Sequence, residues 1–196
     1  MKTNLLLILT VFAGCNNQPA IAPHSSPDAI EEKQTHVHPV EPETTPDATP
    51  EADEITGKVV GIIDGDTIDV LNADKTTTRI RFNGIDCPET GQPFGKNAKE
   101  FINDMIGGKS VRFVEHDKDR YGRTIGDVYS ESTLVNLELV CAGLAWHYVQ
   151  YAPDDKALAA AEAEARKAKR GLWSDARHVA PWDWRKLSKA ERDKLR

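Results

Sequence analysis

The sequence predicts an α+β domain that is mainly β: a five-stranded barrel with three helices packed outside it. Three observations carry this. Five short runs between positions 59 and 129 are β-branched or alternate polar with apolar. Three other stretches place apolar residues at helical spacing, and turn residues separate all of them. The resulting order, β-β-β-α-β-β-α-α in about 120 residues, suits the OB-fold architecture.

Val59 to Ile63 is the first strand, a β-branched run ended by the turn signal Asp64-Gly65-Asp66. Thr67 to Leu71 alternates as a half-buried strand does, and a second turn falls at Asn72 to Lys75. Thr77 to Phe82 alternates again, with Ile80 and Phe82 on one face and Arg79 and Arg81 on the other. These three form a meander. Ala98, Phe101, Ile102, Met105 and Ile106 then fall at i, i+3, i+4, i+7 and i+8, and Gly107-Gly108 ends that helix. Ser110 to Glu115 and Arg123 to Tyr129 are the remaining strands, joined by the charged turn Asp117 to Arg123. Leu134 to Leu144 is the second helix and stops around Gly143. Asp154 to Arg170 is the third, with a thin stripe of Leu158, Ala161, Ala165 and Ala168, closed by Gly171.

The domain is expected to span residues 55–175, followed by an extension over 176–196. The tail from Leu172 carries Trp173, Trp182 and Trp184, three of the four tryptophans. So aromatic a segment is expected to pack back on the domain. Ser188 with Glu191 reads as a capping box that opens a short final helix.

Residues 1–15 read as an export signal. Lys2 precedes the apolar core Leu5-Leu6-Leu7-Ile8-Leu9 to Val11-Phe12, which is too short to span a bilayer as a helix. Ala13-Gly14-Cys15 ends it. Small residues before a cysteine resemble a bacterial lipoprotein processing site, which implies that Cys15 carries a lipid and that the protein is exported and anchored to a membrane outside the cytoplasm. Residues 16–54 read as a disordered linker. They hold seven of the eleven prolines and nine acids against the single base Lys33, with no aromatic residue. The His36-Val37-His38 pair in that tether reads as incidental.

The formal net charge of −6 belongs to this linker. Residues 55–196 hold 22 acids and 23 bases, so the domain is near neutral. A polyanionic substrate is therefore not excluded, but affinity for it has to come from local basic groups and a metal ion. With Cys15 lipidated, Cys87 and Cys141 remain, and an exported compartment permits a disulfide between them.

Three short motifs carry the chemistry: Asp64-Gly65-Asp66-Thr67, then Arg81 leading to Asp86-Cys87-Pro88-Glu89, then Tyr121-Gly122-Arg123. Asp66 and Asp86 sit at the ends of neighbouring strands, where two carboxylates can converge on one cation, and the Cys87 carbonyl is the natural third protein ligand. Ca²⁺ suits such a hard-oxygen set. Glu89 is close enough to Asp86 to serve as a general base or to orient a water. Arg81 and Arg123 supply guanidinium forks, which pair with phosphate oxygens and never deprotonate. Each motif alone also reads as turn chemistry or surface charge; it is the conjunction that points to metal-assisted attack on a phosphodiester.

On these residues the stretch 57–173 resembles the staphylococcal nuclease (thermonuclease) family. Asp119-Arg120, Val135-Asn136, Gly143-Leu144-Ala145 and Gly171-Leu172-Trp173-Ser174 extend the match. The resemblance implies a Ca²⁺-dependent nuclease on an OB-fold that hydrolyses DNA and/or RNA and leaves 3′-phosphates. Asp66, Asp86 and the Cys87 carbonyl would bind the ion, Glu89 would activate water, and Arg81 and Arg123 would hold the phosphate. Tyr121 and Tyr151 match positions placed around the bound nucleotide. Such an enzyme is expected to act as a monomer. The alternatives are a catalytically silent nucleic-acid- or protein-binding module, or a surface lipoprotein serving adhesion.

Overall fold

Glu54–Ile62 (β1), Thr67–Asn72 (β2) and Thr77–Phe82 (β3) form the meander in the computed structural model, which describes residues 54–196. The export signal, lipidation at Cys15 and the linker lie outside the described residues, apart from Glu54, which opens β1. A two-residue strand follows, Ile85–Asp86 (β4), and then the helix Gly95–Ile106 (α1). Ser110–Lys118 (β5) and Thr124–Ser130 (β6) make the long hairpin. After a short strand, Thr133–Leu134 (β7), come the helix Val135–Cys141 (α2) and the strand Trp146–His147 (β8). Lys156–Lys167 (α3), a 3-10 turn at Gly171–Ser174, Pro181–Trp184 (α4) and Lys189–Leu195 (α5) complete the chain.

The strands run in the order β3-β2-β1-β5-β6, and β3 pairs with β6 in parallel, which closes the five-stranded barrel of an OB-like fold. Alternation along each strand fills the interior. Val59, Ile68, Val70, Ile80, Phe82, Val111, Phe113 and Val128 are all buried there. Ala98, Ile102 and Ile106 of α1 and Val135, Leu139 and Val140 of α2 cover the barrel.

One buried polar residue braces the closure. Asn136 is buried, accepts from the Val128 amide at 3.1 Å and donates to the carbonyls of Asn83 and Gly126 at 3.0 and 3.3 Å. It thereby ties the end of β3 to β6. A parallel pair cannot be joined by a tight hairpin, so a side chain reaching both strands fixes the seam.

Two glycines set the second layer. Gly143 and Gly171 both have positive φ, +69° and +50°, and a Cβ on Gly171 would lie 2.2 Å from the Gly143 carbonyl oxygen. Their contact seats Leu172 and Trp173 beneath α3 in a second apolar cluster with Trp146, Ala165 and Ala180. The guanidinium of Arg166 lies 3.7 Å from the Trp173 ring centroid.

The extension packs as its aromatics predict. Trp184 is buried, and Trp182 stacks on Tyr148 at 5.0 Å with an interplanar angle of 10°. The Ser188–Glu191 capping box is present, and Arg192 donates to the carbonyls of Trp184 and Arg185.

The structure also corrects the sequence reading. No disulfide joins Cys87 to Cys141. Cys87 follows β4 and its Sγ faces Gly65, whereas Cys141 ends α2. Strands β1 and β5 are longer than the apolar runs, because residues 54–58 of β1 pair with β5, and Asp117 and Lys118 of β5 pair with β6.

Trp184→Ala should therefore cost about 3–5 kcal/mol, the usual penalty for emptying a buried aromatic site. Chemical denaturation measures the loss, and faster proteolytic trimming of residues 176–196 locates it.

Candidate active site

Asp66 and Arg81 are set side by side by strand register. The Asp64–Asp66 turn links β1 to β2, and β2 pairs with β3 so that Thr67 faces Arg81. The Phe82 amide donates to the Asp66 carbonyl at 2.8 Å. Arg81 is thus pinned across the strand ends, its side chain only 12% exposed.

Asp86 joins them through β4, which pairs with β8 so that Asp86 faces Trp146. Arg81 donates from Nη2 to Asp86 Oδ1 at 2.8 Å, and its Nε lies 3.2 Å from Asp66 Oδ1. Its Nη1 donates to the carbonyls of Phe82 and Ile85 at 2.9 and 2.8 Å. Five N–H groups are available to a guanidinium, and this set engages all but one of them. The two carboxylates therefore converge on one guanidinium. Asp66 Oδ2 also accepts from the Cys87 amide at 2.6 Å, which places the Cys87 backbone beside both acids.

Electrostatics follow from burial. Burial acts to lower the Arg81 pKa, but Asp66 and Asp86 outweigh it and raise it. Burial pushes the Asp86 carboxyl up against the opposing pull of Arg185 and Arg81. Asp64 is raised to about 6, first by burial and then by the adjacent Asp66. Burial, with Asp66 next, pushes the Cys87 thiol well up, so it stays neutral and offers its backbone rather than a thiolate.

Glu89 lies in the loop after β4, and that loop is clamped. Gln92 accepts from the Glu89 amide at 3.0 Å, the Gln92 amide donates back to the Glu89 carbonyl, and Gln92 Nε2 donates to the Val179 carbonyl at 2.7 Å. Gly95 permits the turn, since a Cβ there would lie 2.2 Å from the Glu89 carbonyl oxygen.

Arg123 arrives from the β5–β6 turn. Its Nε donates to Asp119 Oδ2 at 2.7 Å, and its backbone amide donates to Asp119 Oδ1. Within the charged turn its partner is thus Asp119. Burial raises the Asp119 carboxyl, but its hydrogen bonds from Arg123 prevail and hold it below the usual range. The fork ends of Arg123 make no hydrogen bond among the described residues.

All of these line one open cleft of about 900 Å³, together with Tyr121 and Tyr151. Both tyrosines are well exposed, at 69% and 68%. Sequence reasoning did not single out Tyr148, which packs edge-on to Tyr151 at 4.8 Å, or Asp64 and Gln92. It also missed Arg185. This residue follows α4 and hydrogen-bonds both Asp86 and Glu89. Nothing in its local sequence marks it, because its partners lie almost a hundred positions away.

The cleft holds six acids (Asp64, Asp66, Asp86, Glu89, Asp117 and Asp119) against four arginines (Arg81, Arg120, Arg123 and Arg185). The donors available near Arg81 are hard oxygens, which suit a divalent ion of the Ca²⁺ or Mg²⁺ type. No group of three or more His, Cys, Asp or Glu side chains with metal-holding geometry occurs among the described residues. The donor chemistry fits nonetheless as two carboxylates and a backbone carbonyl.

Residues 79–175 match the family described as Staphylococcal nuclease homologue. The chain is 42% identical over 146 residues to a micrococcal nuclease of Shigella flexneri, covering 69% of this chain and 83% of that protein. The chain belongs to the staphylococcal nuclease family. An uncharacterized endonuclease of Escherichia coli O157:H7 is 44% identical over 133 residues, 67% of this chain and 86% of that protein. Protein ParB of Escherichia coli is 42% identical over 156 residues, 74% of this chain and 88% of that protein. As a member of this family the chain is a thermonuclease-like nuclease, a hydrolase. The staphylococcal nuclease match ends at residue 175, so the extension that carries Arg185 lies beyond it.

The raised Asp64 carboxyl makes a pH prediction. An acid held at about 6 when folded, against the usual 3.8, binds its proton more tightly in the native state. The native state therefore loses stability as pH rises from about 4 through 6. Removing this charge with Asp64→Asn should stabilise the metal-free nuclease at pH 7, by no more than about 3 kcal/mol. Thermal melts of both proteins should converge near pH 4.

Proposed function

We propose that this nuclease hydrolyses DNA and/or RNA with Ca²⁺ as its cofactor, by attack of water on a phosphodiester that leaves a 3′-phosphate. The observation that carries the reading is the convergence of Asp66 and Asp86 on Arg81 in the same cleft as Glu89. Asp66, Asp86 and the Cys87 carbonyl would hold the ion. When bound, it would supply positive charge to the phosphate oxygens as a Lewis acid. The cleft's excess of two acids over arginines is what a divalent cation offsets before a polyanion can enter.

The residues of the chain divide the remaining work. Glu89 takes a proton from the attacking water. The new O–P bond forms as the bond from phosphorus to the 5′-oxygen breaks, which leaves the phosphate on the 3′ side. Arg123 presents its fork ends to the phosphate, with its Nε held by Asp119. Arg81 has one uncommitted N–H to offer, its other donors being spent on the two acids and two carbonyls. Its part is thus chiefly to organise the acids, with a single contact left for the developing charge. Tyr121 and Tyr151 offer exposed ring faces on which unpaired bases can stack.

Delivery is the second half of the proposal. The apolar run ending in Ala13-Gly14-Cys15 and the proline- and acid-rich stretch after it support a lipid-anchored protein with its nuclease outside the cytoplasm.

Four measurements test this. Cleavage of DNA or RNA by the purified chain should require Ca²⁺ and stop on chelation; chelator-resistant cleavage would reject the cofactor. Asp66→Ala and Asp86→Ala should each weaken Ca²⁺ binding along with rate. Arg123→Lys should lower kcat on the order of 10²–10³-fold, because lysine keeps the charge but loses the fork. Activity within about threefold of wild type would remove Arg123 from the transition state. Cys15→Ser should abolish lipid attachment, read by mass spectrometry of the mature N-terminus.

A further inference from the structure

The Asp86 carboxylate is bracketed by two guanidiniums of different character. Arg81 bonds Oδ1 from the protein side and is held by two backbone carbonyls besides. Arg185 bonds Oδ2 at 2.7 Å from the solvent side, and its side chain is 44% exposed against 12% for Arg81. The same Arg185 fork reaches Glu89 through Nη1. Its side chain makes hydrogen bonds to no other group among the described residues.

The backbone under Arg185 is firmly placed. Trp184 is buried, and Arg192 donates to the carbonyls of Trp184 and Arg185 at 3.1 and 3.0 Å. The side chain is therefore a half-exposed cation on a fixed mount. The side chain of Asp86 is 2% exposed, so an ion arriving from solvent meets it on the side that Arg185 covers.

We infer that Arg185 is the cation that a divalent metal displaces from Asp86 and Glu89, which makes the C-terminal extension a determinant of the nuclease's metal affinity. This rests on the Ca²⁺ reading above. Metal binding then has to break two charge-assisted contacts and to overcome repulsion between the ion and a guanidinium. Displacement also releases Glu89 from its partner as the ion arrives, so the water-activating carboxylate becomes free only in the loaded enzyme. Arg81 cannot take this role, because its carbonyl contacts hold it in place whether or not the acids are occupied.

The test is Ca²⁺ binding by titration calorimetry on the full chain, for wild type, Arg185→Gln and Arg185→Lys. Arg185→Gln should bind Ca²⁺ about tenfold tighter, in line with the loss of a partly exposed ion pair. Arg185→Lys keeps a charge but cannot bridge both carboxylates and should fall between the two. Melting temperatures give an independent readout: Ca²⁺ should raise that of Arg185→Gln by more than that of wild type. If Arg185→Gln does not fold without metal, the lysine variant decides by the same criterion. Affinity in the variants equal to or weaker than wild type overturns the inference and leaves the nuclease reading intact. Absence of Ca²⁺ binding in all three proteins overturns both.

Discussion

The guanidinium of Arg81 is the point from which the site is built. It sits at the closing seam of the barrel, on the one strand that pairs both with β2 and in parallel with β6. It binds carboxylates from the β1–β2 turn and from β4, and carbonyls at the end of β3 and in β4. A buried arginine is tolerated only when its charge and most of its donors are met. Here the partners that meet them are the acids to which the proposed function assigns the metal ion. The requirement that stabilises the seam and the requirement that assembles the site are the same set of contacts.

That arrangement has a consequence for function. A site with more acids than bases repels its polyanionic substrate until a cation is bound. Under the proposed function, binding of metal and of nucleic acid is ordered by electrostatics. Within this scheme the two outer arginines differ in mounting. Arg123 is held through Nε by Asp119, so its fork is presented outward. Arg185 spends its fork on the acids. Which nitrogen each one commits decides whether its fork is open to a ligand or spent on the acids.

The extension beyond residue 175 is part of the same construction. Gln92 links the backbone of Glu89 to Val179, and Trp182 stacks on Tyr148 at the cleft wall. In the role proposed for Glu89, a carboxylate on a loop needs such support, because small errors in its placement are costly in rate. Anchoring by the tail gives this loop the stiffness that a short connection between β4 and α1 does not provide by itself.

The sequence by itself determined the element order, the barrel class and the acids and arginines of the three motifs. Those features are local: alternation, turn residues and helical spacing depend on neighbours a few positions apart. The spacing of Arg81, Asp86 and Glu89 is equally local, so their convergence was legible once they fell around a strand end. Tertiary structure alone decided the rest. The pairing of Arg123 with Asp119 rather than Asp117 depended on how the β5–β6 turn closes. That Cys87 and Cys141 form no disulfide was set by where the loop after β4 and the end of α2 bring them. The β4–β8 pair spans two residues on each side, too few to leave any periodicity in the sequence. Arg185 was beyond reach for the same reason in its extreme form: its contacts with Asp86 and Glu89 cross almost a hundred residues, and only the packing of the tail tryptophans brings it to them.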